Sequence, residues 1–143
     1  MRRLSYFSML LAVLIAGLAL PRATVLAADN PAGEKVYELR IYHTNPGKLE
    51  ALHARFRDHT CKLFQKHGIE VVGFWTPIQG QEAKETLYYI VAFPSLEAQT
   101  KAWAAFKNDP DWIKAKADSE TEGVLVNKVE SKNLKAADYS PIR

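Results

Sequence analysis

The chain has 143 residues, a single cysteine, 19 Lys+Arg and 16 Asp+Glu. That length fits one domain, and one cysteine excludes an internal disulfide framework and any cysteine-rich zinc or iron–sulfur site. The formal charge of +3 comes from Arg2, Arg3 and Arg22, all within the first 27 residues, which hold no acid. The rest of the chain is balanced, so it gives no electrostatic footprint for nucleic acid or an acidic membrane.

The N-terminus reads as an address. Arg2 and Arg3 precede an unbroken apolar run over residues 9–20, and Val25, Leu26 and Ala27 stand before a cleavage point. This is the layout of a secretory signal peptide. The run is shorter than the ~20 residues that a spanning helix needs. Residues 1–27 are therefore expected to be removed, by the Sec or the twin-arginine route. The mature protein is expected to be exported to the periplasm or beyond, with no integral membrane association after signal cleavage. Residues 28–35 (ADNPAGEK) read as a flexible leader.

Residues 36–43 (VYELRIYH) alternate and are rich in β-formers, which predicts a strand. Asn45 suits a helix N-cap and Pro46 a first helical position. Leu49, Leu52, Phe56, Leu63 and Phe64 recur at helical spacing, which predicts one long helix closed by Gly68. Residues 69–76 (IEVVGFWT) form a second strand, residues 79–85 a loop, and residues 86–93 (TLYYIVAF) a third strand. Ser95 caps a helix with Leu96, Trp103 and Phe106 on one side. Asp109 and Pro110 start another helix, and Gly123 ends it. Residues 124–131 (VLVNKVES) form the fourth strand, and residues 133–143 a polar tail.

The order β-α-β-β-α-β is the ferredoxin-like α+β arrangement, an antiparallel sheet with helices on one face, here over residues 36–132. The third strand is apolar on both faces: Leu87, Tyr89, Val91 and Phe93 on one, Tyr88, Ile90 and Ala92 on the other. In the second strand, Val71 and Trp75 oppose Val72 and Phe74. Both sheet faces want burial, and the chain has no spare element for the second. A second copy of the same sheet is the simplest cover, so a homodimer is expected.

Six blocks in order carry a family resemblance: VYELRIY at 36–42, PGK at 46–48, KHGI at 66–69, GFW at 73–75, LYYIV at 87–91 and DPDW at 109–112. Together they resemble the NIPSNAP domain family over residues 36–131. The resemblance implies a dimeric α+β barrel, in which two ferredoxin-like units pack sheet to sheet. It implies no single reaction, since the wider superfamily spans cofactor-free monooxygenases, isomerases and haem enzymes.

The candidate site residues follow from the residue types. Glu38, Arg40 and Tyr42 alternate onto one face of the first strand, with Tyr37, Leu39, Ile41 and His43 on the other. The apolar set is expected to face the helices, which sends Glu38 and Arg40 toward the dimer interface. They would serve there as a register-fixing ion pair, or with Tyr42 and Tyr88 as a pocket for an anionic or phenolic ligand. Trp75 is a candidate cavity wall.

His43, His53, His59 and His67 show no HxxxH or HExxH spacing. His53 and His67 lie 14 residues apart, so no shared metal ion is expected. A haem would need a histidine aimed into an open pocket, with His59 the better placed. No cofactor is expected. Cys61 sits on a helix flank beside Arg57 without a base. The function expected is a binding module for a small apolar or aromatic molecule or a protein partner. The alternative is a cofactor-free monooxygenase or isomerase acting on an aromatic or quinone-like substrate, with Tyr42, His43, His59 or Tyr88 handling protons.

Overall fold

The computed structural model describes residues 34–142; the expected signal peptide and most of the expected leader lie outside the described residues. The elements in order are β1 (Val36–Thr44), α1 (Leu49–Arg55), a π-helical segment (Phe56–Thr60), α2 (Cys61–Lys66), β2 (Glu70–Trp75), α3 (Glu82–Glu85), β3 (Thr86–Phe93), α4 (Leu96–Lys107), α5 (Pro110–Ser119) and β4 (Val126–Lys135). The sheet order is β2-β3-β1-β4, antiparallel throughout. This is the expected ferredoxin-like fold.

The core lies between the sheet and the helices. Leu52, Phe56, Leu63 and Phe64 meet Leu87, Tyr89, Val91 and Phe93, with Phe106 closing from α4. Burying side chains of this size stabilises the fold by about 1.5–3 kcal/mol each. Ser95 caps α4 by accepting from the Ala98 amide at 3.1 Å, and Asp109 caps α5 by accepting from the Asp111 amide at 2.8 Å. Both caps are where the sequence puts them.

Several local features differ from the expectation, among them the short helix α3 inside the expected loop of residues 79–85. Asn45 does not cap a helix. Gly47 has φ +75°, which no helix accepts, so Pro46 and Gly47 form a turn that the Lys48 amide closes onto the Asn45 carbonyl at 3.0 Å. The Asn45 side chain instead donates to the Val124 carbonyl at 2.7 Å. The long helix is interrupted, because the Cys61 amide reaches back five residues to the Phe56 carbonyl. The Thr60 hydroxyl donates to the Arg55 carbonyl at 3.2 Å within this wider turn. In β2 a bulge falls between Val71 and Gly73, so Val71 and Phe74 both turn to the core while Trp75 stays on the open face. A side chain at Gly73 would clash with the Trp75 indole, which lies across it.

The fourth strand also runs further than expected. β1 offers paired positions as far as Val36, and Lys135 takes the last of them. Asn133, Leu134 and Lys135 are therefore strand, not tail.

Candidate functional site

The first-strand faces are the reverse of the expectation. Glu38, Arg40 and Tyr42 pair across to Val91, Tyr89 and Leu87, which are core residues, so all three lie under the helices. Tyr37, Leu39, Ile41 and His43 lie on the open face. Strand polarity misleads here because the open face is apolar too, while α4 supplies partners for the buried charges.

Glu38 is 3% exposed and uses both carboxylate oxygens fully. One accepts from Arg40 Nη1 and from the Ser131 hydroxyl, each at 2.6 Å. The other accepts from Gln99 Nε2 and from the Trp103 indole N–H, each at 2.6 Å. Burial alone would push this carboxyl up. The bonds from Ser131, Trp103 and Gln99 and the Arg40 charge hold it below the usual range instead. The Glu38–Arg40 pair is thus structural, as one reading of the sequence has it, but it ties β1 to α4 and β4 within one protomer.

Arg40 stacks over Trp103, its guanidinium carbon 4.5 Å from the ring centroid, and lies 5.5 Å from the Tyr42 ring. Its Nη2 reaches the Tyr42 hydroxyl at 3.4 Å. Burial works against the charge, but Tyr89, Tyr42 and Glu38 keep the guanidinium protonated. Arg40 Nε is buried without a well-formed hydrogen bond, and so is the hydroxyl of the wholly buried Tyr89, which has Tyr42 and Arg40 as its polar neighbours. Burial and the neighbouring Tyr42 push the Tyr89 phenol well up, so it is a neutral donor.

Aromatic rings box this corner. Tyr42, Phe56 and Phe74 each contact Tyr89 edge-on or tilted, at 5.2–5.6 Å between centroids. Phe56 comes from the π-helical segment, a feature often found at functional sites. Phe74 has two sides. It packs on the corner, and it also lines an apolar groove of about 450 Å³ between α2 and β2, with Cys61, Gln65 and Val71. Burial pushes the Cys61 thiol up, so the groove holds no activated nucleophile.

The other expected residues do not join the corner. Tyr88 faces the opposite side of the sheet, where its hydroxyl approaches Glu82 at 3.5 Å. His43, also on the open face, bonds Glu130 at 2.8 Å. His59 is exposed, beside a groove shared with α5. Trp75 is 51% exposed at the sheet edge, away from the corner. His67 bonds the buried Asp109 at 2.6 Å, and Lys66 joins at 2.8 Å. Those two bonds, from Lys66 first, hold the Asp109 carboxyl far below its usual range. Among the described residues, no group of three or more His, Cys, Asp or Glu could hold a metal ion.

Sequence reasoning missed Gln99, Ser131 and Tyr89 as members of the corner. One signal was readable: Gln99 shares a helical stripe with Trp103 and Phe106, and a polar residue on such a stripe needs a buried partner.

The NIPSNAP family profile matches residues 37–141. No curated protein sequence gives a significant match. Among solved structures, a NIPSNAP family protein of unknown function from Agrobacterium tumefaciens is 24% identical, over 80% of this chain and 97% of its own, with a TM-score of 0.67. An uncharacterized NIPSNAP-like domain protein from Burkholderia xenovorans is 17% identical, over 75% and 89%, with a TM-score of 0.65. SnoaB, a cofactor-independent oxygenase from Streptomyces nogalater, is 14% identical, over 76% and 99%, with a TM-score of 0.51. At these identities the likenesses carry the fold, which SnoaB shares with the NIPSNAP proteins. The profile spans most of the chain, including residues past β4, and on that match the chain belongs to the NIPSNAP family.

Proposed function

We propose that this protein is an exported, homodimeric binding module for a small aromatic molecule, held in the Arg40–Tyr42–Tyr89 corner. The observation that carries the reading is the buried cluster of Arg40, Tyr42 and Tyr89 inside an aromatic box, where Arg40 Nε and the Tyr89 hydroxyl lack a well-formed hydrogen bond. Such a corner suits a ring with a phenolic or carboxylate oxygen. Phe74 lines the α2–β2 groove and contacts Tyr89 of the corner, so a turn of that ring would be the ligand's way in. Oxygenase or isomerase chemistry needs a base in the corner. Glu38 has no free acceptor position to serve as one. Export is supported by the N-terminal pattern, and the dimer by the apolar open face.

The test is thermal unfolding with 4-hydroxybenzoate. The expected result is a saturable rise in Tm that Tyr89→Phe reduces by more than half without lowering the unliganded Tm. A rise of equal size in the variant, or none in either protein, would remove the corner as the site.

A further inference from the structure

Past β4, residues 136–142 turn back across the open sheet face. The turn is held by its own bonds: the Ser140 amide donates to the Ala137 carbonyl at 2.9 Å, and the Ser140 hydroxyl to the Ile142 carbonyl at 2.9 Å. Together with Tyr37, Val72, Ile90 and Leu134, one from each strand, this segment borders an open, mostly apolar recess of about 390 Å³. A second crevice of about 310 Å³ adjoins it, between Lys35, Lys135 and Asp138. Tyr37 lines both. It is 7% exposed, and its hydroxyl is buried without a hydrogen-bond partner.

These features suit a small-molecule site. Small-molecule sites run from about 300 Å³ upward, are mainly apolar, and carry a few placed polar groups. A buried hydroxyl with no partner is unfavourable, so a ligand oxygen that reaches it gains directly. The rim cations are already engaged: Lys35 holds both Glu70 oxygens at 2.7 Å, and Lys135 holds Glu34 at 2.6 Å. Each rim cation thus already faces a carboxylate, which favours a neutral ligand over a charged one.

We infer that the space between residues 136–142 and the open sheet face binds a small, largely apolar molecule carrying one neutral hydroxyl or carbonyl oxygen, which pairs with the Tyr37 hydroxyl. The site lies on the opposite side of β1 from the Arg40 corner and does not rest on it.

The probes are 2-naphthol and its apolar twin naphthalene, titrated into the purified protein and followed by backbone amide NMR shifts. The expected result is saturable 2-naphthol shifts centred on Tyr37, Ile90, Leu134 and residues 136–142. Tyr37→Phe should weaken 2-naphthol about fivefold, the scale of one neutral hydrogen bond, and leave naphthalene unchanged. Three results overturn the inference: shifts centred at Arg40 and Phe74 instead, equal 2-naphthol affinity in Tyr37→Phe, or affinity that falls as protein concentration rises. The last would mean that a second copy fills the recess.

Discussion

Glu38 shows why residue type alone misassigns a face. In the sequence it is a charge on an alternating strand, and charges default to the side away from the core. In the fold it is the most heavily bonded side chain of the core, because Gln99, Trp103, Arg40 and Ser131 converge on it from three elements. Alternation was legible and its direction was not, since both faces of the sheet are apolar and the partners are distant in sequence. Removing the carboxylate strands a buried guanidinium. Glu38→Ala is expected to cost about 3–5 kcal/mol in urea unfolding at neutral pH. The pH dependence has a definite sign. The folded-state pKa of Glu38 lies below its unfolded value, so its contribution is complete above about pH 5 and fades as pH falls through the depressed folded value. The stability gap between wild type and Glu38→Ala should therefore narrow on acidification below about pH 4. A gap that stays constant with pH would mean that Glu38 is bound less tightly than its four hydrogen bonds indicate.

At the scale of elements, the two long helices, all four strands and the caps at Ser95 and Asp109 follow from periodicity and capping chemistry. The departures have local causes that periodicity does not register. A π turn inserts no signature residue; it is visible only as the five-residue bond from Cys61 to Phe56 and the Thr60 hydroxyl on the Arg55 carbonyl. Arg55 turns to α5, where it bonds Glu120 at 2.9 Å and stacks near Trp112, while adjacent Phe56 turns to the sheet and roofs the Arg40 corner. Thr60→Val keeps the shape and removes the hydroxyl. It should cost about 1 kcal/mol in urea unfolding and speed amide exchange at Cys61. Unchanged exchange there would show that the wide turn does not depend on Thr60. The β2 bulge is equally silent in the sequence, apart from Gly73, across which the Trp75 indole lies.

At the scale of the molecule, the need to cover two sheet faces was legible, and the helix-covered face is accounted for within one chain. The open face keeps Leu39, Ile41, Tyr88 and Ile90 half-buried, with Trp75 and the neighbouring Ile78 exposed. Residues 136–142 cover only the part around Tyr37, near the start of β1. We propose that a second copy covers the rest. Ile41 is the residue to change, because it sits mid-face between Tyr88 and Glu130 and takes no part in the helix-side core. The direct measurement is light scattering on the purified protein and on Ile41→Glu, with circular dichroism as the check on folding. The expected result is a wild type of twice the single-chain mass and an Ile41→Glu variant that is monomeric with an unchanged spectrum. A monomeric wild type, or a folded Ile41→Glu variant that remains a dimer, would contradict it.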